Sequence, residues 1–217
     1  MDGYALINIL GGLLIITSLM VVLTKTIKRA AYIYGAQALV LVAIFITLGV
    51  VTDSSELFKW AGTALLTKVI LIPAVVLFGL KKLGGSTVDT TPPRSSIWMI
   101  VLVAAEVILS FLAVGGVELP TALEVKPALA ISLAHFFIGL TCIISQRNIV
   151  KQIFGFCLME NGSHVTLALL APDAPSLLEI GIATDAIFVV AVMVFFAVRI
   201  YKSINTLDTN EIMNLKG

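Results

Sequence analysis

At 217 residues the chain has the length of one soluble domain or two small ones, but it is 59% apolar and only 12% charged. Soluble domains run at about 45–50% apolar and about 25% charged, so the composition excludes a soluble fold. Fourteen Lys and Arg against thirteen Asp and Glu give a formal charge of +1, which leaves no excess to neutralise a row of phosphates, and nucleic acid is not an expected partner. The two cysteines, Cys142 and Cys157, lie inside apolar stretches and are too few for a four-cysteine zinc or iron–sulfur site.

A bilayer core takes roughly 20 apolar residues per helix, at about 1.5 Å each. Seven stretches qualify: 5–23, 30–51, 60–80, 97–114, 128–144, 150–170 and 178–200. The expected fold is an all-α, polytopic membrane protein with seven transmembrane helices. Met1-Asp2-Gly3-Tyr4 has neither the positive region nor the cleavage site of a signal peptide, so the first stretch reads as a retained helix. Lys25, Lys28, Arg29, Lys81, Lys82, Arg94, Arg147, Lys151, Arg199, Lys202 and Lys216 fall in the first, third and fifth connections and the tail. The other side has Lys59 and Lys126, with Asp2, Asp53, Glu56, Glu118, Glu124, Asp173 and Glu179. Because Lys and Arg near helix ends are retained on the cytoplasmic side, this asymmetry predicts an N-terminus outside and a C-terminus in the cytoplasm.

The connection after the third stretch contains Gly84-Gly85-Ser86 and Pro92-Pro93 and is too polar to span. It divides the chain into a three-helix unit (1–83), a cytoplasmic loop with the fourth helix (84–127), a second three-helix unit (128–204) and a cytoplasmic tail (205–217). A shift of 120 residues aligns Tyr34-Gly35 with Phe154-Gly155, each after a basic loop. Duplication of a three-helix unit and a chance match are both open at this level.

Six ionisable residues interrupt the apolar stretches: Lys68, Glu106, His135, Glu160, His164 and Asp185. A charged side chain at the centre of a span costs about 2.5–3.5 kcal/mol on insertion scales, so such residues face protein or water and mark ion pathways. Counted from the nearer outside end, most lie at similar depth, which predicts a row across the bundle suited to lateral proton transfer. In the sixth stretch Cys157, Glu160, Asn161 and His164 recur at i, i+3, i+4 and i+7 and form a polar stripe. Glu160 and His164 can touch; burial favours their neutral forms and mutual attraction their charged ones, as a relay requires. Structural readings stand beside these: a polar contact between packed helices for His164 and Glu106, or snorkelling for Lys68, although about 12 Å of helix is more than its side chain spans. Pro73, five residues after Lys68, predicts a kink that opens room beside it. Gln37 is a candidate extension of the network or a satisfied buried amide.

The run Ser145-Gln146-Arg147-Asn148, followed by Ile153-Phe154-Gly155-Phe156-Cys157-Leu158-Met159-Glu160-Asn161-Gly162-Ser163-His164, resembles the hydrogenase-4 component E family. Its members are membrane subunits of formate-hydrogenlyase-type, energy-conserving [NiFe]-hydrogenases. The likeness extends to Lys126-Pro127-Ala128-Leu129-Ala130, to the stretch from Glu179 through Thr184-Asp185 to Phe188, and to Leu215-Lys216-Gly217. The second three-helix unit is also similar to the K subunit of respiratory complex I and the C subunit of Mrp-type antiporters. By that resemblance Glu160 stands at the middle-helix glutamate of a central hydrophilic axis, and Asp185 near the second glutamate, one methylene shorter.

The resemblance implies a proton or ion relay coupled to electron transfer, with Glu160 and Asp185 carried over from it. Lys68, Glu106, His135 and His164 join the expected relay from the reading of the buried ionisable residues alone; the first four helices have no counterpart in the K subunit. The resemblance places no catalytic residue, metal or cofactor in this chain; the nickel–iron centre and iron–sulfur clusters belong to partner subunits. It implies antiporter-like and quinone-site-subunit-like membrane partners, peripheral hydrogenase subunits, and a multi-pass location in a bacterial or archaeal inner membrane. The alternatives are a subunit of an Mrp-like antiporter or another complex-I relative, a haem anchor using His135 and His164, and a passive scaffold.

Overall fold

The computed structural model describes residues 3–84, 96–117 and 125–213. Seven helical spans within them are long and apolar enough to cross a bilayer, and each contains one of the stretches read from the sequence. They are α1 (Gly3–Leu23), α2 (Ile27–Thr52), a third span built from α3 (Ser55–Ala64), a π-helical segment (Leu65–Leu71) and α4 (Ile72–Lys82), then α5 (Ser96–Gly115), α6 (Lys126–Ser145), α7 (Ile149–Leu170) and α8 (Ser176–Ile204). A short α9 (Thr209–Met213) follows. Asp2, Arg94, Glu118, Glu124 and Lys216, with Gly85-Ser86 and Pro92-Pro93, lie outside the described residues.

The helix ends follow local chemistry. Asp53 (φ 54°) and Asn205 (φ 58°) terminate α2 and α8 in the left-handed region, which Asp and Asn tolerate better than other non-glycine residues. The Asn148 side chain accepts from the Val150 and Lys151 N–H groups and caps α7. An isolated β-bridge between Asn148 and Asp208 ties the segment before α9 to the α6–α7 turn. Because that turn is so short, Lys151 is a buried first-turn residue rather than the loop cation the sequence suggested. Its ammonium donates to the Val21 and Val22 carbonyls at the end of α1, beside Gln146 Nε2 on the same Val22 oxygen at 3.0 Å. A cation there complements the negative end of the helix dipole.

α6 and α7 approach backbone to backbone. A Cβ on Gly139 would collide with Met159 N and lie 2.7 Å from the Gly155 carbonyl oxygen; one on Gly155 would lie 2.8 Å from Ile143 N, and one on Gly162 2.5 Å from Phe136 N. Only hydrogen fits, and small residues of this kind are how membrane helices gain close packing without a hydrophobic driving force.

The buried apolar residues form two clusters. One gathers Val21, Tyr34, Ile72, Ile138, Phe154 and Val190, and the other Leu14, Leu41, Ala64, Ala130, Trp60 and Val165. The gap between them falls at Ser18 in α1, Gln37 in α2, Lys68 in the π-helical segment, His135 in α6 and Glu160-Asn161 in α7. The core is thus split by one polar layer.

The 120-residue offset extends to the helical frame. It carries α1, α2 and the third span to 123–143, 147–172 and 175–202, against 126–145, 149–170 and 176–204 for α6, α7 and α8. Corresponding helices also touch: α1 packs on α6, α2 on α7, and α3 and α4 on α8. Tyr34 and Phe154, equivalent under the offset, meet with ring centroids 5.8 Å apart and planes tilted by 45°.

Candidate functional site

Lys68 is the hub. The Ile72 N–H donates to the Thr67 carbonyl, five residues back, so the span is locally widened into a π-helix just before Pro73. Such π-helical turns recur at functional sites. The sequence-predicted disturbance beside Pro73 takes this form, and it lies along the stretch that presents Lys68 to the interior, where the residue is 1% exposed.

Lys68 Nζ donates to Glu160 Oε1 at 2.6 Å and to Asn161 Oδ1 at 2.9 Å. From there two arms diverge. On one, Asn161 Nδ2 donates to Gln37 Oε1 at 3.0 Å, and Gln37 Nε2 lies 3.1 Å from His135 Nε2. His135 Nδ1 lies 2.8 Å from Ser18 Oγ, whose hydroxyl donates to the Leu14 carbonyl at 2.6 Å. An ammonium can only donate, which fixes both amides, and Gln37 Nε2 can only donate in turn; His135 therefore accepts at Nε2 and carries its proton on Nδ1. Every donor on this arm points away from Lys68.

On the other arm His164 lies between two carboxylates. Its Nδ1 is 3.4 Å from Glu160 Oε1 and its Nε2 is 2.8 Å from Glu179 Oε2. These are ion-pair distances without hydrogen-bond alignment, and Glu160 Oε2 is buried with no hydrogen-bond partner among the described residues. The Trp60 indole packs edge-on against the imidazole at 6.4 Å between centroids. Catalytic hydrogen bonds in resting structures are often long or poorly aligned, so these distances are compatible with proton transfer through the ring.

Six of the seven spans thus contribute to one connected string, Ser18–His135–Gln37–Asn161–Lys68–Glu160–His164–Glu179. Of the sequence-predicted residues it joins Lys68, Glu160, His164 and His135. It does not include Glu106, which accepts from Thr141 Oγ1 between α5 and α6 with its second oxygen unpaired among the described residues. It does not include Asp185, which is exposed on the outer face of α8. The buried face of α8 is instead Glu179, Ala183, Ala186, Val190, Val194 and Ala197.

Glu179, read from the sequence as an outside-facing charge, is fully buried in the first turn of α8, where the helix dipole favours a carboxylate. The string is therefore not a flat row: its centre crosses the bundle at one depth, and the His164–Glu179 arm climbs toward the α7–α8 connection. Ser18 had no signal of its own in the sequence. Glu179 had one, in the small residues four and seven positions later that mark the same helix face.

The family NADH-ubiquinone/plastoquinone oxidoreductase chain 4L matches residues 127–217. Hydrogenase-4 component E of Escherichia coli K12 is 45% identical over 221 aligned positions, covering 100% of this chain and 100% of that protein, and the Shigella flexneri protein of the same description matches equally. The chain belongs to the hydrogenase-4 component E family. An uncharacterized protein of Mycobacterium tuberculosis is 20% identical over 97% of this chain and 96% of its own length. No solved structure matches.

As a hydrogenase-4 component E relative with a chain-4L-like segment, the protein is a membrane subunit of a hydrogenase or complex-I-like assembly. The chain-4L match contains His135, Glu160, Asn161, His164 and Glu179, whereas Ser18, Gln37 and Lys68 come from the N-terminal spans. The Lys68–Glu160 pair is the charged one among several contacts at which these two parts of this component E relative meet.

Proposed function

We propose that this chain carries one buried segment of the proton- or ion-translocating path of an energy-conserving hydrogenase, coupling electron transfer in peripheral nickel–iron and iron–sulfur subunits to charge movement in antiporter-like neighbours. It sits in a bacterial or archaeal inner membrane with its N-terminus outside and its C-terminus in the cytoplasm, as its loop charges imply. The observation that carries this reading is the uninterrupted contact from Lys68 through Glu160 and His164 to Glu179 inside an otherwise apolar bundle.

The two arms have different chemistry. Imidazole takes a proton on one nitrogen and releases one from the other, so His164 can pass a proton between Glu179 and Glu160. A proton arriving on Glu160 removes its attraction for Lys68 and releases the ammonium. The Asn161–Gln37 bridge cannot hand on a proton as a carboxylate or imidazole does, but its dipoles are aligned by the Lys68 charge. The carboxylate–imidazole arm moves protons, and the amide arm transmits the charge state of Lys68 to His135 electrostatically.

The test is hydrogen-linked proton and labelled-sodium uptake in inverted vesicles, normalised to assembled complex. Glu160→Gln is expected to keep hydrogenase activity while ion uptake falls to background, and Glu179→Gln to do the same with retained assembly. Full pumping by an assembled Glu160→Gln complex overturns the assignment.

A further inference from the structure

A second feature lies away from the polar string, between the halves of the bundle. α4 and α8 leave a groove of about 540 Å³, walled along its length by apolar residues from Leu71 to Phe78 on one side and Ala191 to Phe195 on the other. That is the scale of a ligand-binding cleft. Among the described residues, the groove is polar only at its far end, where Lys82, Arg199 and Lys202 line it and no carboxylate does. Two of the cations are held there by aromatic rings of the same walls: Lys82 Nζ stands 4.6 Å above the Phe78 centroid and the Arg199 guanidinium 5.8 Å from that of Phe195. Each such contact favours one placement of a long side chain, so the positive end is partly formed in advance.

An apolar trough running along two membrane-spanning helices and closing on three cations at a helix end has the polarity of one class of molecule. We propose that the groove between α4 and α8 binds an anionic phospholipid, with an acyl chain along the Leu71–Phe78 wall and the phosphate against Lys82, Arg199 and Lys202. Basic pockets between membrane helices bind anionic headgroups in this way. A zwitterionic lipid brings an ammonium into the same positive end and is disfavoured. A transmembrane helix of a neighbouring subunit would need a carboxylate at its very end to match these charges, whereas every anionic phospholipid has its charge at that depth. Leu71, the last residue of the π-helical segment, lines the groove, so the acyl chain rests against the segment that carries Lys68.

The experiment uses the complex extracted in mild detergent through a tag on this chain, with retained lipids quantified by mass spectrometry. The probes are phosphatidylglycerol and cardiolipin, with phosphatidylethanolamine as the zwitterionic reference. Two variants attack the two halves of the site: K82Q/R199Q/K202Q removes the charge, and Ala74→Trp with Ala191→Trp fills the trough and leaves the cations in place. Both are expected to lose about one anionic lipid per complex, with the zwitterionic content unchanged, and delipidated wild type should regain it from phosphatidylglycerol vesicles. An unchanged anionic-lipid count in both variants overturns the proposal. Equal loss of anionic and zwitterionic lipid overturns the headgroup assignment, and loss of a protein subunit with the lipid count intact shows instead that a neighbouring chain occupies the groove.

Discussion

Lys68 and Glu160 each bring a charge to a place where it would be expensive alone; their side chains are 1% and 11% exposed and 2.6 Å apart. Removing one member of such a pair leaves the other uncompensated, a loss of about 3–5 kcal/mol in buried settings, whereas removing both is often tolerated. Lys68→Met and Glu160→Gln are each expected to destabilise the purified chain by about 3 kcal/mol, and the double variant by clearly less than the sum. Thermal and denaturant unfolding of the four proteins measures that coupling, and strict additivity would mean that the pair is not formed. The residues of this pair, with His164 and His135, were legible because a charge or imidazole inside twenty apolar positions stands out regardless of fold. Their connections were less so. Gln37 and Asn161 are polar residues whose role depends on what lies opposite, and a hydroxyl such as Ser18 can bond its own helix, as it also does here to Leu14. Glu179 was not counted among the interior residues because at the mouth of a span the sequence alone does not separate a loop from a first helical turn.

The spans were predictable as elements because the bilayer forces every backbone group to be satisfied within the helix. Their internal departures were less so: Pro73 announced a disturbance, but a π-helical segment and a simple kink have the same sequence signature. The α6–α7 contact shows what such signatures omit. Gly12 and Gly139 are both mid-helix glycines, yet a Cβ at Gly12 meets nothing within 4 Å, while one at Gly139 meets the backbone of α7. Gly139→Ala should therefore destabilise the chain by about 1–3 kcal/mol, as overpacking does, while Gly12→Ala should be neutral or stabilising by up to about 1 kcal/mol. Unfolding of the two variants side by side distinguishes packing from helix propensity, which would move both alike. Because the backbone of Met159, beside Glu160, is among the atoms an added Cβ at Gly139 would meet, the damaging variant should also disturb the polar string, and its ion uptake should fall with its stability.

At the scale of the whole molecule, the repeated frame and the unrepeated chemistry belong together. Under the 120-residue offset Lys68 corresponds to Phe188, Glu160 to Val40, His164 to Ile44 and His135 to Ile15, so two similar three-helix sets hold a single polar string at their junction. The outer surface is apolar, with Ile9, Ile16, Val50, Ile108, Leu112 and Phe188 among its exposed residues, and Asp185 breaks it in the third turn of α8. Facing lipid, an aspartate there would cost about 2.5–3.5 kcal/mol; facing a neighbouring subunit with a cation or donor at that depth, it is a contact that the isolated chain leaves open. The second arrangement suits a subunit of a larger membrane assembly. Asp185→Asn should then leave the unfolding of the isolated chain unchanged within about 0.5 kcal/mol but reduce the neighbouring membrane subunits recovered with the tagged chain, and Asp185→Leu should reduce them further. Glu160→Gln, buried inside the bundle, should leave subunit recovery intact. If Asp185→Leu retains every subunit and raises the stability of the complex, that face of α8 meets lipid, and the path does not leave the chain at Asp185.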